Sequence, residues 1–193
     1  MHSGAKHKRS LRFGMTFGIV AVSLTLWVGY LAARSGGVSG VCTSSEGCDC
    51  HSSTPNDNGV ATVTITGPQL VDSGTTNSYT IAVTGGPSGT TGGFDLCATE
   101  GTLIAGVGSK LDSGELIHSN GDNRSWTFQW TAQTAGMALV DFFAVAQATD
   151  GSGRSGDSWN WYGDTESTPF TITVVGPLPI QPTSWGLLKD RYR

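Results

Sequence analysis

Beyond residue 59, apolar and polar residues alternate in short segments, which is the two-residue period of a β-strand. The clearest example is 125–131, where Trp126, Phe128 and Trp130 alternate with Ser, Thr and Gln. These three rings are predicted to share one buried face. The same reasoning predicts further strands at 60–66, 79–84, 94–99, 103–107, 116–119, 137–148 and 168–175.

Residues typical of turns separate these segments at intervals of about ten residues. Segment 137–148 carries apolar residues on both faces and has Asp141 as its one charged residue, so it is predicted to be a central strand buried between layers. Met137, at its start, is expected in the core. No helix of more than two turns is expected between 59 and 176. The fold class is therefore predicted to be all-β, an Ig-like two-sheet antiparallel β-sandwich.

The N-terminal 33 residues differ from the rest of the chain. A short segment with four Lys or Arg and no acid precedes 13–33, which carries no charge. At ~1.5 Å per residue, this run of about 21 residues is long enough to cross a bilayer as a helix. It is predicted to be either a signal peptide cut near Ala33 or an uncleaved membrane anchor. Both alternatives place the remainder outside the cytoplasm, as a secreted, periplasmic or cell-surface protein.

Four segments follow from these patterns. They are a signal peptide or N-terminal anchor at 1–33, a Cys/His-rich linker at 34–58, the sandwich at 59–176, and a Pro-rich spacer with a short tail at 177–193. Trp185, Leu188 and Tyr192 in the tail are spaced to share one helical face. That face is expected to dock on the sandwich, to serve surface attachment or sorting, or to belong to a frayed end.

The charge distribution excludes one class of partner. All fifteen Asp and Glu follow residue 33, together with only seven of the eleven Lys and Arg. Binding to DNA or RNA requires clustered basic residues, so no nucleic-acid partner is expected.

Cysteine and histidine are concentrated in one ten-residue stretch, which holds Cys42, Cys48, Cys50 and His51. Thiolate and neutral imidazole are the usual ligands of Zn, Cu and Fe. Cys followed by His also occurs in covalent haem attachment, where the common spacing is Cys-x-x-Cys-His. This chain has one residue fewer between the two Cys. The first alternative is a transition-metal or haem c site at Cys48, Cys50 and His51. The second is a pair of disulfides, in which Cys42 pairs with either Cys48 or Cys50, and whichever of these two is left pairs with Cys97. The third is free thiols.

A metal at this cluster would need a further ligand. Cys42 and His118 are the candidates, although a lone His on a predicted strand is more often a hydrogen-bonded core residue. The metal-ligand candidates are therefore Cys42, Cys48, Cys50, His51 and His118. Trp159 and Trp161 are either core residues or rings that stack on a sugar. No nucleophile–His motif, phosphate loop, dinucleotide fingerprint or paired catalytic carboxylates is found, so no enzymatic activity is expected.

Several segments carry a resemblance to a known family. These are Thr66–Pro68, Ser78–Thr80, Gly92–Leu96, Glu115–Ser119, Ser125–Thr131 and Ser155–Asp157. In order and spacing, the body resembles the domain of bacterial choice-of-anchor V proteins, which is similar to the Reeler domain. Relatives often carry a Cys-rich segment ending in Cys-His before the first strand, many with Cys-x-x-Cys-His, from which Cys48-Asp-Cys50-His51 departs. The resemblance implies a Reeler-like sandwich, secreted or tethered to a surface, without catalysis.

Two hypotheses compete at this stage. The first is a non-catalytic extracellular module that binds a protein or glycan and has the Cys/His cluster as a structural element. If the N-terminal helix is uncleaved, this module is also held at the membrane through that helix. The second is an extracytoplasmic electron-transfer protein with haem c or a transition metal at Cys48, Cys50 and His51.

Overall fold

The structure is a computed structural model and describes residues 36–132, 137–153 and 156–176. All of them belong to one compact unit, Ser35–Arg193. The predicted leader at 1–33 and the predicted tail at 177–193 lie outside the described residues. Within the described residues no helix is long and apolar enough to span a membrane.

The described part of the chain is all-β and contains no helix. In chain order the strands are β1 (Ala61–Thr66), β2 (Leu70–Asp72), β3 (Thr76–Gly85), β4 (Thr91–Ala98), β5 (Thr102–Ile104), β6 (Ser109–Asp112), β7 (Glu115–His118), β8 (Ser125–Thr131), β9 (Ala138–Thr149), β10 (Ser158–Trp161) and β11 (Phe170–Val175). The predicted strands are all present, with small shifts at their ends.

The strands form two sheets. The smaller sheet has the order β1-β3-β8-β5 and is antiparallel throughout. The larger sheet has the order β2-β11-β9-β4-β7-β6, with β10 also paired to β9. Only the pairing of β2 with β11 is parallel among the strand pairs of the described residues. The predicted two-sheet, mainly antiparallel β-sandwich is confirmed.

The core lies between the two sheets and is rich in aromatic rings. Trp126, Phe128 and Trp130 of β8 are all buried, which confirms that they share one inward face. The ring of Trp130 meets Phe142 of β9, in the opposite sheet, edge to face at 5.4 Å between centroids. Tyr79 of β3 makes the same type of contact with Phe142 at 5.3 Å.

Strand β9 is central in the larger sheet, as predicted, because β4 pairs with one edge while β11 and β10 share the other. Its first part is less buried than expected. Met137 is 78% exposed and Leu139 is 68% exposed, so the expectation that Met137 is a core residue is wrong. Leu139 alternates with the core residue Val140, so it lies on the outer face of the larger sheet, which is exposed at this end.

Three short strands, β2, β6 and β10, are not among the predicted ones. Strand β10 pairs antiparallel with β9, the strand before it in the chain. Both faces of β10 are buried: Ser158 and Asn160 donate side-chain hydrogen bonds to the carbonyls of Gly59 and Ala61, while Trp159 and Trp161 lie on the opposite face.

Candidate functional site

The outer face of the larger sheet is covered at one end by residues 36–58, which we call the clasp. On β4, Phe94 and Leu96 belong to the core between the sheets. Because side chains alternate along a strand, Asp95 and Cys97 project from the outer face. The clasp is attached to this face at two places, one beside Cys97 and one beside β10.

A small apolar cluster lies between the clasp and the sheet. It consists of Val145 on β9 with Trp159 and Trp161 on β10, and Val41 and Cys48 of the clasp pack against it. The ring of Trp159 is only 1% exposed. Both indoles are therefore structural parts of this cluster, which favours the core alternative over sugar stacking.

The first attachment is a disulfide between Cys42 and Cys97, with the two Cα atoms 6.0 Å apart and a sequence separation of 55. The predicted pairings of Cys42 with Cys48 or Cys50 are therefore wrong, since Cys42 is bonded to a sheet residue. A sulfur in a disulfide is not a thiolate, so Cys42 does not serve as the metal ligand that was considered for it.

Hydrogen bonds to two carboxylates reinforce this attachment. The backbone N–H groups of Val41 and Cys42 donate to Asp95 Oδ2 at 2.8 and 2.9 Å. The N–H of Gly40 donates to Glu115 Oε2. The pKa of Asp95 is raised to about 7, chiefly by burial; the N–H donors of Val41 and Cys42 oppose this effect, and the neighbouring Glu115 adds to it.

The second attachment joins the clasp to β10. The indole N–H of Trp159 donates to the carbonyl of Ser52 at 2.8 Å, and the N–H of Asn56 donates to the carbonyl of Trp159 at 3.0 Å. Gly47 lies directly on the Trp159 ring with a φ of 51°, and a Cβ at this position would overlap the ring. The close approach and the positive φ both require glycine here.

His51 is held by a buried carboxylate. Its Nδ1 lies 2.7 Å from Oδ2 of Asp157, whose side chain is completely buried at the start of β10. Asp157 also accepts through Oδ1 from the N–H of Asp150, and its backbone carbonyl accepts from the Asn58 amide. With Nδ1 committed to Asp157, the other ring nitrogen, Nε2, is the one that remains for a ligand. Carboxylates orient metal-binding histidines in this way.

Cys48 and Cys50 lie in the same turn as His51, and both thiols are free. The N–H of His51 donates to the carbonyl of Cys48 at 2.9 Å, which closes the turn. Cys50 is exposed, whereas Cys48 packs into the small apolar cluster. Burial raises the pKa of the Cys48 thiol well above its usual range, and the negative charge of Asp95 adds to this effect.

His118, at the end of β7, is buried against β4. Its Nδ1 lies 3.1 Å from the backbone nitrogen and 3.2 Å from the carbonyl oxygen of Phe94. Burial lowers the pKa of His118; the Phe94 backbone acts against this, and the positive charges of His51 and Lys110 lower it further. The imidazole is therefore neutral near neutral pH, as a metal ligand must be.

The predicted metal ligands do not form a compact group. Among the described residues, the only three potential ligand atoms of Cys, His, Asp or Glu that all lie within 4.8 Å of one another belong to Cys42, Cys97 and Glu115. Two of these are the disulfide sulfurs, so the group is not a metal centre in the oxidised protein. A site at Cys48, Cys50 and His51, with or without His118, stays a prediction.

Four side chains that shape this region are not among the predicted site residues: Asp95, Glu115, Gln147 and Asp157. One signal was present in the sequence. Asp95 is an acid between Phe94 and Leu96, in a segment otherwise free of charge. Alternation along the strand places this carboxylate on the face opposite Phe94 and Leu96.

No protein-family model matches the chain, and no curated protein matches it. The relation to the choice-of-anchor V and Reeler domains therefore stays a prediction, and only the sandwich that it implies is confirmed.

Two solved structures illustrate the structural comparison. The CARDB domain of a Pyrococcus furiosus protein, solved in complex with di-metal ions, is 17% identical with a TM-score of 0.32, covering 61% of this chain and 94% of that one. A conjugative transposon lipoprotein from Bacteroides eggerthii is 18% identical with a TM-score of 0.33, covering 53% of this chain and 95% of that one. Both TM-scores are below 0.5, so neither likeness bears on site or function.

Proposed function

We propose that this chain is an exported or surface-tethered, non-catalytic β-sandwich module for extracellular interaction with a protein or glycan, in which the Cys/His segment is a structural layer. The observation that carries the proposal is the disulfide between Cys42 and Cys97. Disulfides form and persist outside the cytoplasm and are rare within it. The uncharged run at 13–33 supports the same location.

The bonding around the clasp supports a structural role for most of its polar groups. Asp95, Glu115 and Asp157 each accept hydrogen bonds from clasp residues, and Trp159 donates one to the clasp. These groups hold the clasp against the larger sheet, which leaves the remaining surface of the sandwich for a partner.

The proposal is tested on protein purified from its own host without reductant. Peptide mapping by mass spectrometry should find Cys42 linked to Cys97, and thiol titration after denaturation should count two thiols per chain. Fractionation of the host should recover the chain outside the cytoplasm. Four thiols per chain, or a cytoplasmic location, would contradict the proposal.

The second candidate is an extracytoplasmic electron-transfer protein with haem c or a transition metal at Cys48, Cys50 and His51. The observation that favours it is the pair of free thiols beside an imidazole oriented through Nδ1 by Asp157. Two thiols bond the porphyrin and the imidazole ligates iron in covalent haem attachment. A Soret band that survives acid-acetone extraction would establish covalent haem, and its absence would remove that form of the hypothesis.

A further inference from the structure

Two buried acceptors on the outer face of the larger sheet have no hydrogen-bond partner among the described residues: Asp95 Oδ1 and Gln147 Oε1. Asp95 is 1% exposed and Gln147 is 8% exposed. Buried oxygens that lack a donor are costly in free energy and call for a water, a ligand or a cation. The N–H groups of Val41 and Cys42 both donate to Oδ2 of Asp95, and the neighbouring Glu115 adds negative charge, so Oδ1 is left without a donor.

The strand register places the two acceptors close together. Asp95 on β4 pairs with Val145 on β9, and Gln147 is two residues further along β9, on the same face. Such diagonal neighbours in an antiparallel pair are separated by about 7–8 Å, within reach of long side chains. Gly93 is the direct partner of Gln147, and it adds no side chain to the space between the two acceptors.

A third ligand type borders the same position. The His118 ring lies against Gly93: a Cβ built on Gly93 would be 2.9 Å from both ring nitrogens. Nδ1 of this ring is 3.2 Å from the carbonyl of Phe94. Nδ1 also lies 3.1 Å from the backbone nitrogen of Phe94, so it can accept from that N–H or donate to the carbonyl, depending on the tautomer. Metal binding selects the second tautomer, in which Nδ1 donates to the carbonyl and Nε2 carries the lone pair.

We propose that Asp95, Gln147 and His118 form the sheet side of a binding site for one divalent transition-metal ion beneath the clasp. One imidazole nitrogen and two oxygens suit a borderline ion such as Zn²⁺ or Co²⁺. The positive charge of the ion also offsets the negative charges of the Asp95 and Glu115 carboxylates. The site goes beyond the interaction module proposed above and does not depend on where the chain is located.

The clasp supplies the remaining ligand. Cys48 packs against the small apolar cluster formed by Val145, Trp159 and Trp161, and the negative charge of Asp95 is close enough to raise the pKa of its thiol. Asp95, His118 and Cys48 do not all lie within 4.8 Å of one another, so binding of an ion by all three requires their side chains to rotate toward it. A cation at this place favours the thiolate of Cys48, because its charge offsets that of Asp95.

The test is a titration of the full chain, with its disulfide intact, with Zn²⁺ or Co²⁺ alone, followed by equilibrium dialysis and metal analysis. One ion per chain is expected. Gln147→Leu removes one oxygen ligand at nearly constant volume and should weaken binding by about tenfold or more. Gln129→Leu is the matched control, because Gln129 is an exposed residue of β8 in the other sheet, and it should leave the affinity unchanged.

A third variant separates this site from the predicted centre at Cys48, Cys50 and His51. Cys50→Ser removes an exposed thiol of that centre and should leave the affinity unchanged if the ion lies over Gly93. Loss of binding in Cys50→Ser, equal affinities in Gln147→Leu and Gln129→Leu, or no stoichiometric binding to the unmodified chain would each overturn the proposal.

Thermal unfolding distinguishes loss of a ligand from loss of the fold. Without metal, Gln147→Leu should unfold at the same temperature as the unmodified chain or higher, because it removes an unpaired buried acceptor. With excess Zn²⁺, the unmodified chain should gain thermal stability that saturates at one equivalent, and Gln147→Leu should not. If Gln147→Leu does not fold, the unmodified chain decides: a Zn²⁺ shift saturating at one equivalent supports the proposal, and no shift contradicts it.

Discussion

The two layers on either side of the larger sheet are held together by different forces. Between the sheets, aromatic rings from the smaller and the larger sheet pack against each other, as Trp130 and Phe142 do. The stabilisation of this layer comes from burial of apolar area. Between the larger sheet and the clasp, only a small apolar cluster is buried, and a disulfide and hydrogen bonds to carboxylates supply the rest. A segment too short to have a core of its own is thus attached covalently, at the one place where a Cys projects from the outer face.

The largest expected effect concerns the inner layer. Trp130→Ala should lower the free energy of unfolding by about 3–5 kcal/mol, because it removes a completely buried ring and leaves a cavity. Urea unfolding followed by far-UV circular dichroism measures this. A loss of less than about 1 kcal/mol would mean that the inner layer does not depend on its aromatic packing.

The second effect concerns the covalent attachment of the clasp. Replacing both Cys42 and Cys97 by Ala should lower the free energy of unfolding by about 2–4 kcal/mol, because the disulfide closes a long loop and thereby restricts the unfolded chain. Limited proteolysis should then cut within 43–47 while the sandwich stays resistant. The paired replacement of Cys48 and Cys50 by Ala is the control, and unfolding in urea without reductant should show a clearly smaller loss for it. Equal losses would contradict the assigned pairing.

A third effect tests the contact of the clasp with β10. Gly47→Ala places a Cβ on a residue with a positive φ and makes it overlap with the Trp159 ring. Overpacking of this kind should lower the free energy of unfolding by about 1–3 kcal/mol. Gly40→Ala is the matched control, because Gly40 also has a positive φ but a Cβ there meets nothing within 4 Å. The difference between the urea midpoints of Gly47→Ala and Gly40→Ala measures the effect of the overlap with the ring, separately from that of the positive φ. Equal midpoints would show that Trp159 does not hold the clasp.

The smallest expected effect is a change in the pH dependence of stability. The folded-state pKa of Asp95, about 7, lies above its ordinary value of 3.8. In metal-free protein, Asp95 therefore contributes a loss of stability as the pH rises between these values, because the unfolded chain releases its proton first. His118, whose pKa is lowered, acts in the opposite sense over the upper part of this range, which reduces the net change.

Asp95→Asn keeps an acceptor for the N–H groups of Val41 and Cys42 and removes the titration. The stability difference between this variant and the unmodified chain, from urea midpoints at pH 4.5, 6 and 7.5, should shift in favour of Asn as the pH rises. A difference that is constant across the three pH values would show that Asp95 does not titrate in this range.

The inner layer was predictable from sequence to a much greater extent than the outer one. In β8, alternation alone identifies Trp126, Phe128 and Trp130 as inward residues, because one face is apolar and the other is exposed. The rule fails on β10, where Ser158 and Asn160 are as buried as the indoles beside them. Their hydrogen bonds to Gly59 and Ala61 satisfy them inside the protein, and no local pattern reveals such partners.

The residues under the clasp were only partly predictable, for a related reason. The density of Cys and His around Cys48 indicates that the segment is chemically unusual. The pairing of Cys42 with Cys97 depends on which strand face the clasp covers, and that is a property of the tertiary structure. Gln147 and Asp157 resemble ordinary exposed polar residues in the sequence, and only the covering layer makes them buried.

The position of Cys97 has a consequence for the order in which the protein matures. A chain that is synthesised from its N-terminus presents all four Cys before β8 or β9 has left the ribosome. Cys97 then lies on β4 without its neighbour β9, where Phe143 is its partner in the finished sheet. Cys42, Cys48 and Cys50 therefore compete for Cys97 on a half-formed chain. The pairing found here becomes the favoured one only when β9 adds to the sheet, so it is expected to be selected late, by thiol–disulfide exchange.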